Sequence, residues 1–282
     1  MPTKPHPRPQ LALDASPEVV TACRAVESRL EATFTESGGG DAWVTDRFET
    51  AAEALRTGIP VLLAKPWTLD ASQRAELGAT AGALCMPAHA WRFAPSIRAM
   101  QAALASGKLG DAGLLRVHRW CGEDAACETK TMADLDLAMW LFGLEPEQVF
   151  IVHRPDYLQI HLGFAGGGMA LVDHFRRLPA GQSYESVSLI GSCGAAYADD
   201  HHDTQLLFAG ERPAALLTGH ARTDLVAMLN AFLGTVAEGR APSVTLADTS
   251  RAMSLVTLIE TAAGTGLGSK LVLDRRERVA AP

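Results

Sequence analysis

The sequence predicts an α/β protein, with a reduced Rossmann-like parallel unit followed by an α+β domain that has a large, mostly antiparallel open sheet. Two observations predict this fold. In the first part of the chain, short apolar strands alternate with helices, which is typical of a parallel sheet. From about residue 113, strand-like runs separated by turn signals follow one another, which is typical of an antiparallel or mixed sheet. We expect the first domain to cover 1–92 and the second 93–282.

The first domain begins, after a proline-rich arm, with a strand that ends at Asp14. Ser16 is the expected N-cap of the next helix, with Pro17 at its first position, and Gly58 ends a second helix. Asp70 leads a third helix. The segments in order are "QLALDAS", "SPEVVTACRAVESRLEA", "ATFTES", "AWVTD", "RFETAAEALRTG", "IPVLLAK" and "DASQRAELGATAGALC".

The second domain opens with the helix "APSIRAMQAALASGKLG". Its strands are predicted at "GLLRVHRWCG", "EQVFIVHRP", "YLQIHLGFA", "GMALVDHFRR", "ESVSLIGSCGAAYADD", "TQLLFAG" and "KLVLDRRERV". Two helical regions precede the last strand. The first of them carries an apolar stripe that indicates packing, at Leu225, Met228, Leu229, Phe232 and Leu233.

Composition excludes several classes of protein. The chain has 282 residues, 48% of them hydrophobic, a net charge of −7 and no basic block longer than two residues, so we expect no nucleic-acid partner. It has no apolar run long enough for a membrane span and no signal-peptide pattern, so we expect a cytoplasmic protein. Five cysteines without a C-x-x-C spacing predict free thiols.

Lys65 and Pro66 form the first candidate site. The apolar strand "VLL" ends just before them, and a proline keeps the preceding residue out of the helical region. Lys65 is therefore expected at the carboxyl end of a strand. In an open α/β sheet, ligands bind at this end.

Two common ligand motifs are missing from the sequence. There is no G-x-G-x-x-G between a strand and a helix and no G-x-x-x-x-G-K-[ST]; "GTGLGS" at 264–269 follows a helix and precedes a strand, which is the wrong context for a dinucleotide. The "DDHHD" run at 199–203 is interpreted as a solvated loop, so no metal site is predicted.

Several segments resemble one family. "GIPVLLAKPWTLDASQ", "WRFAPSIRAMQAALASGKLGDAGLLRVH", "DLAMWLFGLEPEQVF", "VSLIGSCGAAYADD" and "FLGTVAEGRAPSVTLADTSRAMSLVTLIETAAGTG" are similar, in the same order, to segments of the glucose-fructose oxidoreductase and inositol dehydrogenase (Gfo/Idh/MocA) family. The resemblance covers about residues 10 to 273. It implies an amino-terminal Rossmann domain that binds NAD or NADP, and a carboxyl-terminal open sheet that forms the substrate site and usually the dimer contact.

The resemblance also implies roles for individual residues. Lys65 matches the family's catalytic lysine, and Asp14 matches an acid that holds a ribose hydroxyl, so Asp14, Lys65 and Pro66 are the candidate cofactor residues. The candidate substrate residues are His89, Arg92, Trp120 and Asp136. Lys130 is a candidate catalytic replacement for the family's histidine. Glu123 and Glu128 fall near the same cleft, and Asp173 with His174 is a further possible acid/base pair.

The sequence departs from the family at three points. Ala133 stands where the family has its catalytic histidine, with Thr129 at the preceding acid, and Ala64 replaces the glutamate before Lys65. The glycine loop is missing, either because the chain begins at the family's second strand or because "DASPE" replaces that loop. In both cases the phosphate cradle is lost.

Three functions follow, and the sequence leaves open whether the protein is an enzyme. The first is an oxidoreductase-like protein that has lost NAD(P) binding and redox catalysis and acts as a non-redox enzyme, small-ligand binder or partner subunit. The second is an active NAD(P)-dependent dehydrogenase of a sugar, inositol or related cyclic alcohol. The third is a scaffold that pairs with a full-length homologue. We expect a sugar-like small-molecule ligand and a homodimer or homo-oligomer through the carboxyl-terminal sheet.

Overall fold

The computed structural model describes residues 8–36, 39–80, 84–122, 130–179, 182–199, 204–209, 213–217, 222–263 and 269–272. The first elements are β1 (Gln10–Leu13), α1 (Pro17–Arg24), β2 (Thr33–Glu36), β3 (Ala42–Thr45), α2 (Phe48–Arg56), β4 (Val61–Leu63), α3 (Ala71–Ala79) and β5 (Cys85–Pro87). They are followed by α4 (Pro95–Ala105), β6 (Ala112–Gly122), α5 (Thr131–Phe142), β7 (Gln148–Arg154), β8 (Tyr157–Gly163), β9 (Met169–Leu178), β10 (Ser183–Gly191), β11 (Gly194–Asp199), β12 (Thr204–Ala209), β13 (Pro213–Leu217), α6 (Thr223–Glu238), α7 (Leu246–Ala263) and β14 (Ser269–Val272).

The chain divides into two compact units. The first contains Met1–Ala94 and Arg222–Arg251, and the second contains Pro95–Ala221 and Ala252–Pro282. The expected boundary after residue 92 lies two residues before the first division. The packing of α6 with the first unit was not predicted, because local periodicity identifies a packing face but not its partner.

The first unit contains a sheet that is parallel throughout, with strand order β2-β1-β3-β4-β5. Its first strand, β1, lies between β2 and β3, so the strand order reverses beside β1. A doubly wound fold has its first strand at this position. Residues 14–18 therefore take the place of the glycine loop, and the topology favours replacement of that loop over a chain that begins at the family's second strand.

Apolar residues from strands and helices fill the core of the first unit. The predicted stripe of α6 supplies three buried side chains, Met228, Leu229 and Phe232, which cluster with residues of β1 to β5 and α1. A second cluster is built from α2, β4 and α3. Gly58, expected at the end of α2, has a positive φ of 80°. That conformation carries little strain only in glycine.

The second unit contains a nine-stranded sheet with the order β13-β12-β11-β10-β6-β9-β8-β7-β14. β6 and β9 are parallel, and the other neighbouring pairs are antiparallel, which confirms the large, mostly antiparallel sheet. The strand β13 was not predicted. Its sequence "PAALL" begins with a proline and has no alternation of polar and apolar residues, so it carries a weak strand signal.

The two faces of this sheet differ, because successive residues of a strand point to opposite sides. One face bears buried apolar side chains such as Val117, Val172 and Val187. The other, called here the open face, bears the large exposed side chains. These are Trp120, Phe150, Met169 and Tyr197, each between 37% and 44% exposed, and the strand register puts all four on the same side.

One of the cysteines forms a disulfide bond. Cys121 is disulfide-bonded, whereas Cys23, Cys85 and Cys193 are free. The expectation of five free thiols was wrong, because an odd count without C-x-x-C does not exclude a single bond between more distant cysteines.

Among the described residues, no helix has both the length and the apolar character to cross a membrane.

Candidate functional site

Lys65 lies just beyond the carboxyl end of β4, as its place before Pro66 predicts. Pro66 is buried and begins a short 3₁₀ turn, Pro66–Thr68. The Lys65 side chain is 23% exposed. It reaches the carboxyl edge of the parallel sheet, where ligands of doubly wound folds bind.

The ammonium group of Lys65 is surrounded by acceptors from this chain. Its Nζ donates to Glu18 Oε2 at 2.6 Å and to Ser16 Oγ at 3.3 Å, and it lies 3.7 Å from Asp46 Oδ2. The hydrogen bond to Glu18 raises the pKa of Lys65, against a smaller effect of burial. Lys65 is therefore charged at neutral pH and already paired.

Asp46 follows β3 and binds the residue that precedes α1. Its Oδ1 accepts from the backbone N–H of Ser16 at 2.9 Å, and its Oδ2 accepts from Ser16 Oγ at 2.5 Å. Burial alone would raise the pKa of Asp46, but the bonds from Ser16 and the charge of Lys65 outweigh it and lower the pKa. Ser16 is the N-cap as predicted, but its side chain makes no capping bond and contacts Asp46 instead.

The start of α1 does not fit a dinucleotide pyrophosphate. Such a group needs free backbone N–H donors and close approach of glycine backbone at a helix N-terminus. Here the N–H of Ser16 is bonded to Asp46, Pro17 has no N–H, and Glu18 adds a carboxylate in the first turn. A pyrophosphate would meet negative charges where it needs donors.

Two acids, Asp14 and Glu36, follow or end neighbouring strands of the parallel sheet. Asp14 follows the central strand and is bonded within the chain, accepting from Arg47 Nη1 and from Thr50 Oγ1, each at 2.9 Å. In dinucleotide-binding folds the ribose-binding acid lies about 20 residues further along than the phosphate loop. Glu36, the last residue of β2, stands at that position. Glu36 was not predicted as a site residue, although an acid at the end of the second strand is the signal for this role.

His89 and Arg92 are buried, with exposed fractions of 2% and 6%. His89 Nε2 is 2.8 Å from Thr249 Oγ1, and Arg92 Nη2 lies 3.3 Å from Asp248 Oδ1, so both contact the beginning of α7. Neither side chain therefore lies on the surface. Their role in substrate binding stays a prediction.

Asp248 is held as a carboxylate by its neighbours. Burial alone would raise its pKa, but hydrogen bonds from Thr245 and the charges of Arg92 and Arg251 lower the pKa to about 2. The Thr245 backbone N–H donates to Asp248 Oδ2 at 2.8 Å, which caps the start of α7. This cluster therefore ties the 3₁₀ turn that contains Arg92 to α7 within the first unit.

The candidates of the second unit separate onto the two faces of its sheet. Lys130 Nζ donates to Glu185 Oε1, so Lys130 is paired with a carboxylate on the covered face. Trp120 lies on the open face, where its ring meets Phe175 and Tyr184. Asp136 is 2% exposed within α5. The structure thus does not bring Lys130 and Trp120 together.

Three buried polar residues form a chain on the covered face, called here the buried charge chain: Arg119, Asp134 and His174. Arg119 Nε donates to both carboxylate oxygens of Asp134, at 2.7 and 2.8 Å, and His174 Nε2 is 2.8 Å from Asp134 Oδ2. Their side chains are 1%, 0% and 4% exposed. Arg119 and Asp134 were not predicted as site residues, although an acid inside the apolar run "MADLDLAMWLF" indicates a group that has a partner.

Glu185 extends the buried charge chain. Its Oε1 lies 2.7 Å from Arg119 Nη1 and also accepts from Lys130. Burial would raise the pKa of Glu185, but the charges of Arg119 and Lys130 outweigh it and lower the pKa. Arg119 is thus held between two carboxylates.

Asp173 and His174 do not pair with each other, because adjacent strand residues point to opposite faces. Asp173 Oδ1 instead lies 2.5 Å from His118 Nδ1 on the open face, while His174 bonds Asp134 on the covered face. The described residues thus contain two separate His–Asp pairs, one on each face of the sheet.

Some predicted residues lie outside the described part of the chain: Glu123, Glu128, Thr129 and residues 200–203. Ala133 is on α5 and leaves that helix without a histidine at its start. Among the described residues, no group of three or more His, Cys, Asp or Glu side chains is arranged to hold a metal ion.

Comparison with known proteins identifies the fold. No protein-family model and no curated protein matches the chain. An oxidoreductase from Agrobacterium radiobacter, solved with NAD+, L-tartaric acid and magnesium, has 15% identity and a TM-score of 0.78, with 93% of this chain and 98% of that chain covered. The chain has the fold of the Gfo/Idh/MocA-type oxidoreductases. A myo-inositol 2-dehydrogenase from Lactobacillus plantarum, at 15% identity, has a TM-score of 0.75, with 95% of this chain and all 100% of that chain covered.

A third similar structure is the UDP-N-acetylglucosamine 3-dehydrogenase from Acidithiobacillus ferrooxidans. Its identity is 16% and its TM-score 0.75, with 92% of this chain and 99% of that chain covered. These matches confirm the fold that the sequence resemblance implies. They extend over nearly the whole of each neighbour.

Proposed function

We propose that this protein uses the oxidoreductase fold to bind a small molecule without the dinucleotide grip of that family, and that it does not carry out ordinary nicotinamide redox chemistry. The observation that supports this most is the 2.9 Å bond between the Ser16 backbone N–H and Asp46. This bond occupies the N–H donor of Ser16, and the Asp46 carboxylate adds a negative charge, at the place where a pyrophosphate binds in doubly wound folds.

Titration with NADH and NADPH, followed by nucleotide fluorescence, tests the proposal. We expect no saturation below about 1 mM, a limit that corresponds to a binding free energy of about −4 kcal/mol. Micromolar affinity of the unaltered protein for either nucleotide would refute the proposal.

A double variant tests the stated cause. Glu18→Gln with Asp46→Asn removes two negative charges near the start of α1, so it should bind NADH measurably more tightly than the unaltered protein. Glu53→Gln is the matched control, since it removes one exposed acid from α2, where it pairs with Arg56. Equal affinities for all three proteins would show that these carboxylates do not limit binding.

A working NAD(P)-dependent dehydrogenase is the second candidate. Glu36 at the end of β2 and Lys65 beyond β4 favour it, since they stand where a ribose-binding acid and a carbinol-binding lysine are expected. The similarity of the fold to two dehydrogenases also favours this candidate. Reduction of NAD+ in the presence of myo-inositol or L-tartrate, lost in Lys65→Met, would establish this candidate.

We also propose that two copies pair through the open face of the second unit. Trp120, Phe150, Met169 and Tyr197 expose apolar surface on one side of a nine-stranded sheet. Contiguous apolar surface of this kind marks interaction sites in soluble proteins. A self-complementary patch generates a two-fold dimer.

A further inference from the structure

A cavity of about 340 Å³ lies within the second unit, on the covered side of its sheet. Its wall is formed by the turn between β7 and β8 together with residues of α5, β9 and α7. Its volume is at the lower end of the range for small-molecule pockets, about 300–1,000 Å³. None of the residues assigned to the candidate site by the sequence analysis, apart from His174, lines it.

His174 belongs both to this cavity and to the buried charge chain. Because a carboxylate only accepts hydrogen bonds, His174 Nε2 is the donor to Asp134. The other ring nitrogen, Nδ1, faces Thr131. It is 3.4 Å from Thr131 Oγ1, which also lines the cavity, and that distance is too long for a strong hydrogen bond.

The buried charge chain is hard to explain by stability alone. Burying an arginine and an aspartate costs several kcal/mol of desolvation, and apolar replacements of similar volume are often as stable or more stable. Here the chain ends on a histidine whose tautomer it fixes. Such an arrangement beside a cavity is typical of functional sites.

The cavity also has cationic and apolar walls. Arg154 and Arg176 line it beside Leu158 and Ile259, and Glu260 is the one acid among the lining residues that the structure describes. The Arg154 Nη1 donates to the carbonyl oxygen of His153 at 2.9 Å, which orients the guanidinium. A guanidinium has five donors in a planar fork that matches an oxyanion.

We propose that this cavity binds a small organic oxyanion that carries hydroxyl groups, a carboxylate or a phosphate monoester. Arg154 and Arg176 bind the oxyanion, and His174 Nδ1 accepts a hydrogen bond from a ligand hydroxyl in place of the weak contact with Thr131. The inference rests on the proposed function, because it names the cavity in which the proposed small molecule binds. It is tested without nucleotide, so a nucleotide titration that refutes the proposed function leaves this result intact.

Calorimetric titration of the full chain with three probes tests the ligand class. L-Tartrate supplies carboxylates and hydroxyls, glycerol 3-phosphate supplies a phosphate monoester, and L-threitol has the carbon chain of tartrate without its charge. We expect at least one anion to saturate a single site and threitol to show no binding at the same concentration. Tartrate alone would assign a carboxylate, and glycerol 3-phosphate alone a phosphate. Failure of both anions up to about 10 mM, or equal binding of threitol, would overturn the proposal.

Two matched arginine variants test the location. Arg154→Gln should weaken binding of the anion about tenfold, because it removes a charged hydrogen bond. Arg177→Gln is the control: it has the same charge change, and its side chain pairs with Asp156 and does not line the cavity. Equal effects of the two substitutions would overturn the assignment.

Nitrogen NMR of the histidine rings supplies a readout that does not depend on a substitution in the core. The bound anion should shift the ring resonances of His174, whereas His118, paired with Asp173 on the open face, should stay unchanged and serves as the internal reference. Shifts of His118 without shifts of His174 would contradict the assignment to this cavity.

Discussion

Replacing Asp134 by asparagine should remove much of the stability of the second unit. Asp134 is fully buried and accepts from Arg119 Nε at 2.7 and 2.8 Å, and from His174 at 2.8 Å. Asp134→Asn keeps the shape but removes the negative charge, so the guanidinium of Arg119 loses its fully buried counterion, while its ion pair with the partly exposed Glu185 is kept. Breaking one partner of a buried ion pair costs about 3–5 kcal/mol.

Urea unfolding followed by circular dichroism at neutral pH measures this loss. Glu53→Gln is the reference for an exposed pair: its partner is Arg56, and the two side chains are 59% and 62% exposed. We expect a change below about 1 kcal/mol there, as for surface ion pairs in general.

A paired substitution separates a lost bond from a stranded charge. Arg119→Met with Asp134→Leu removes both ions, and Glu185 keeps its contact with Lys130. The double variant should be more stable than Asp134→Asn, because no unpaired buried charge remains. A loss below about 1 kcal/mol for Asp134→Asn, or a double variant less stable than the single one, would refute the reasoning.

Four further outcomes are expected. Gly58→Ala should lower the free energy of unfolding in urea by about 1–2 kcal/mol, because φ is +80° there. The space around Gly58 is open, so no steric clash adds to this backbone strain. Gly110→Ala should cost more, since φ is +67° and an added Cβ would also clash with Ser192. The pKa of Asp248 is lowered from 3.8 to about 2, so its carboxylate stabilises the fold above pH 3.8. About 2 kcal/mol of this contribution is lost as the pH falls toward 2. In Asp248→Asn, the urea concentration at the unfolding midpoint should therefore depend less on pH within this window. Trp120→Glu should convert a dimer to a monomer in light scattering, whereas a monomer before substitution would refute pairing through the open face.

Local signals in the sequence were enough for most of the elements. Alternation of apolar strands and helices predicted the parallel sheet of the first unit, and the capping residue Asp70 and the turn at Gly58 marked helix ends correctly. The apolar stripe of α6 identified core residues. These features depend on neighbours within a few positions, so periodicity and turn chemistry specify them.

Local signals could not predict which residues that are distant in the sequence pair with each other. The contacts Lys65–Glu18 and His174–Asp134 join residues 47 and 40 positions apart. No local pattern shows which carboxylate a lysine or histidine will meet. The polar residues inside apolar segments, Arg119 and Asp134 among them, do show that a partner must exist, because an unpaired buried charge is too costly.

Long-range pairing also decides which acid opposes a dinucleotide at α1. Glu18 is 81% exposed, so its pair with Lys65 is a surface pair that an incoming anion displaces at little cost. Asp46 is 8% exposed and accepts from both the N–H and the hydroxyl of Ser16, so displacing it would cost a buried carboxylate two of its hydrogen bonds. Asp46→Asn alone should therefore account for most of any gain in NADH affinity of the double variant, and Glu18→Gln for little. The reverse division would mean that exposed charge, and not the occupied helix start, keeps the nucleotide out.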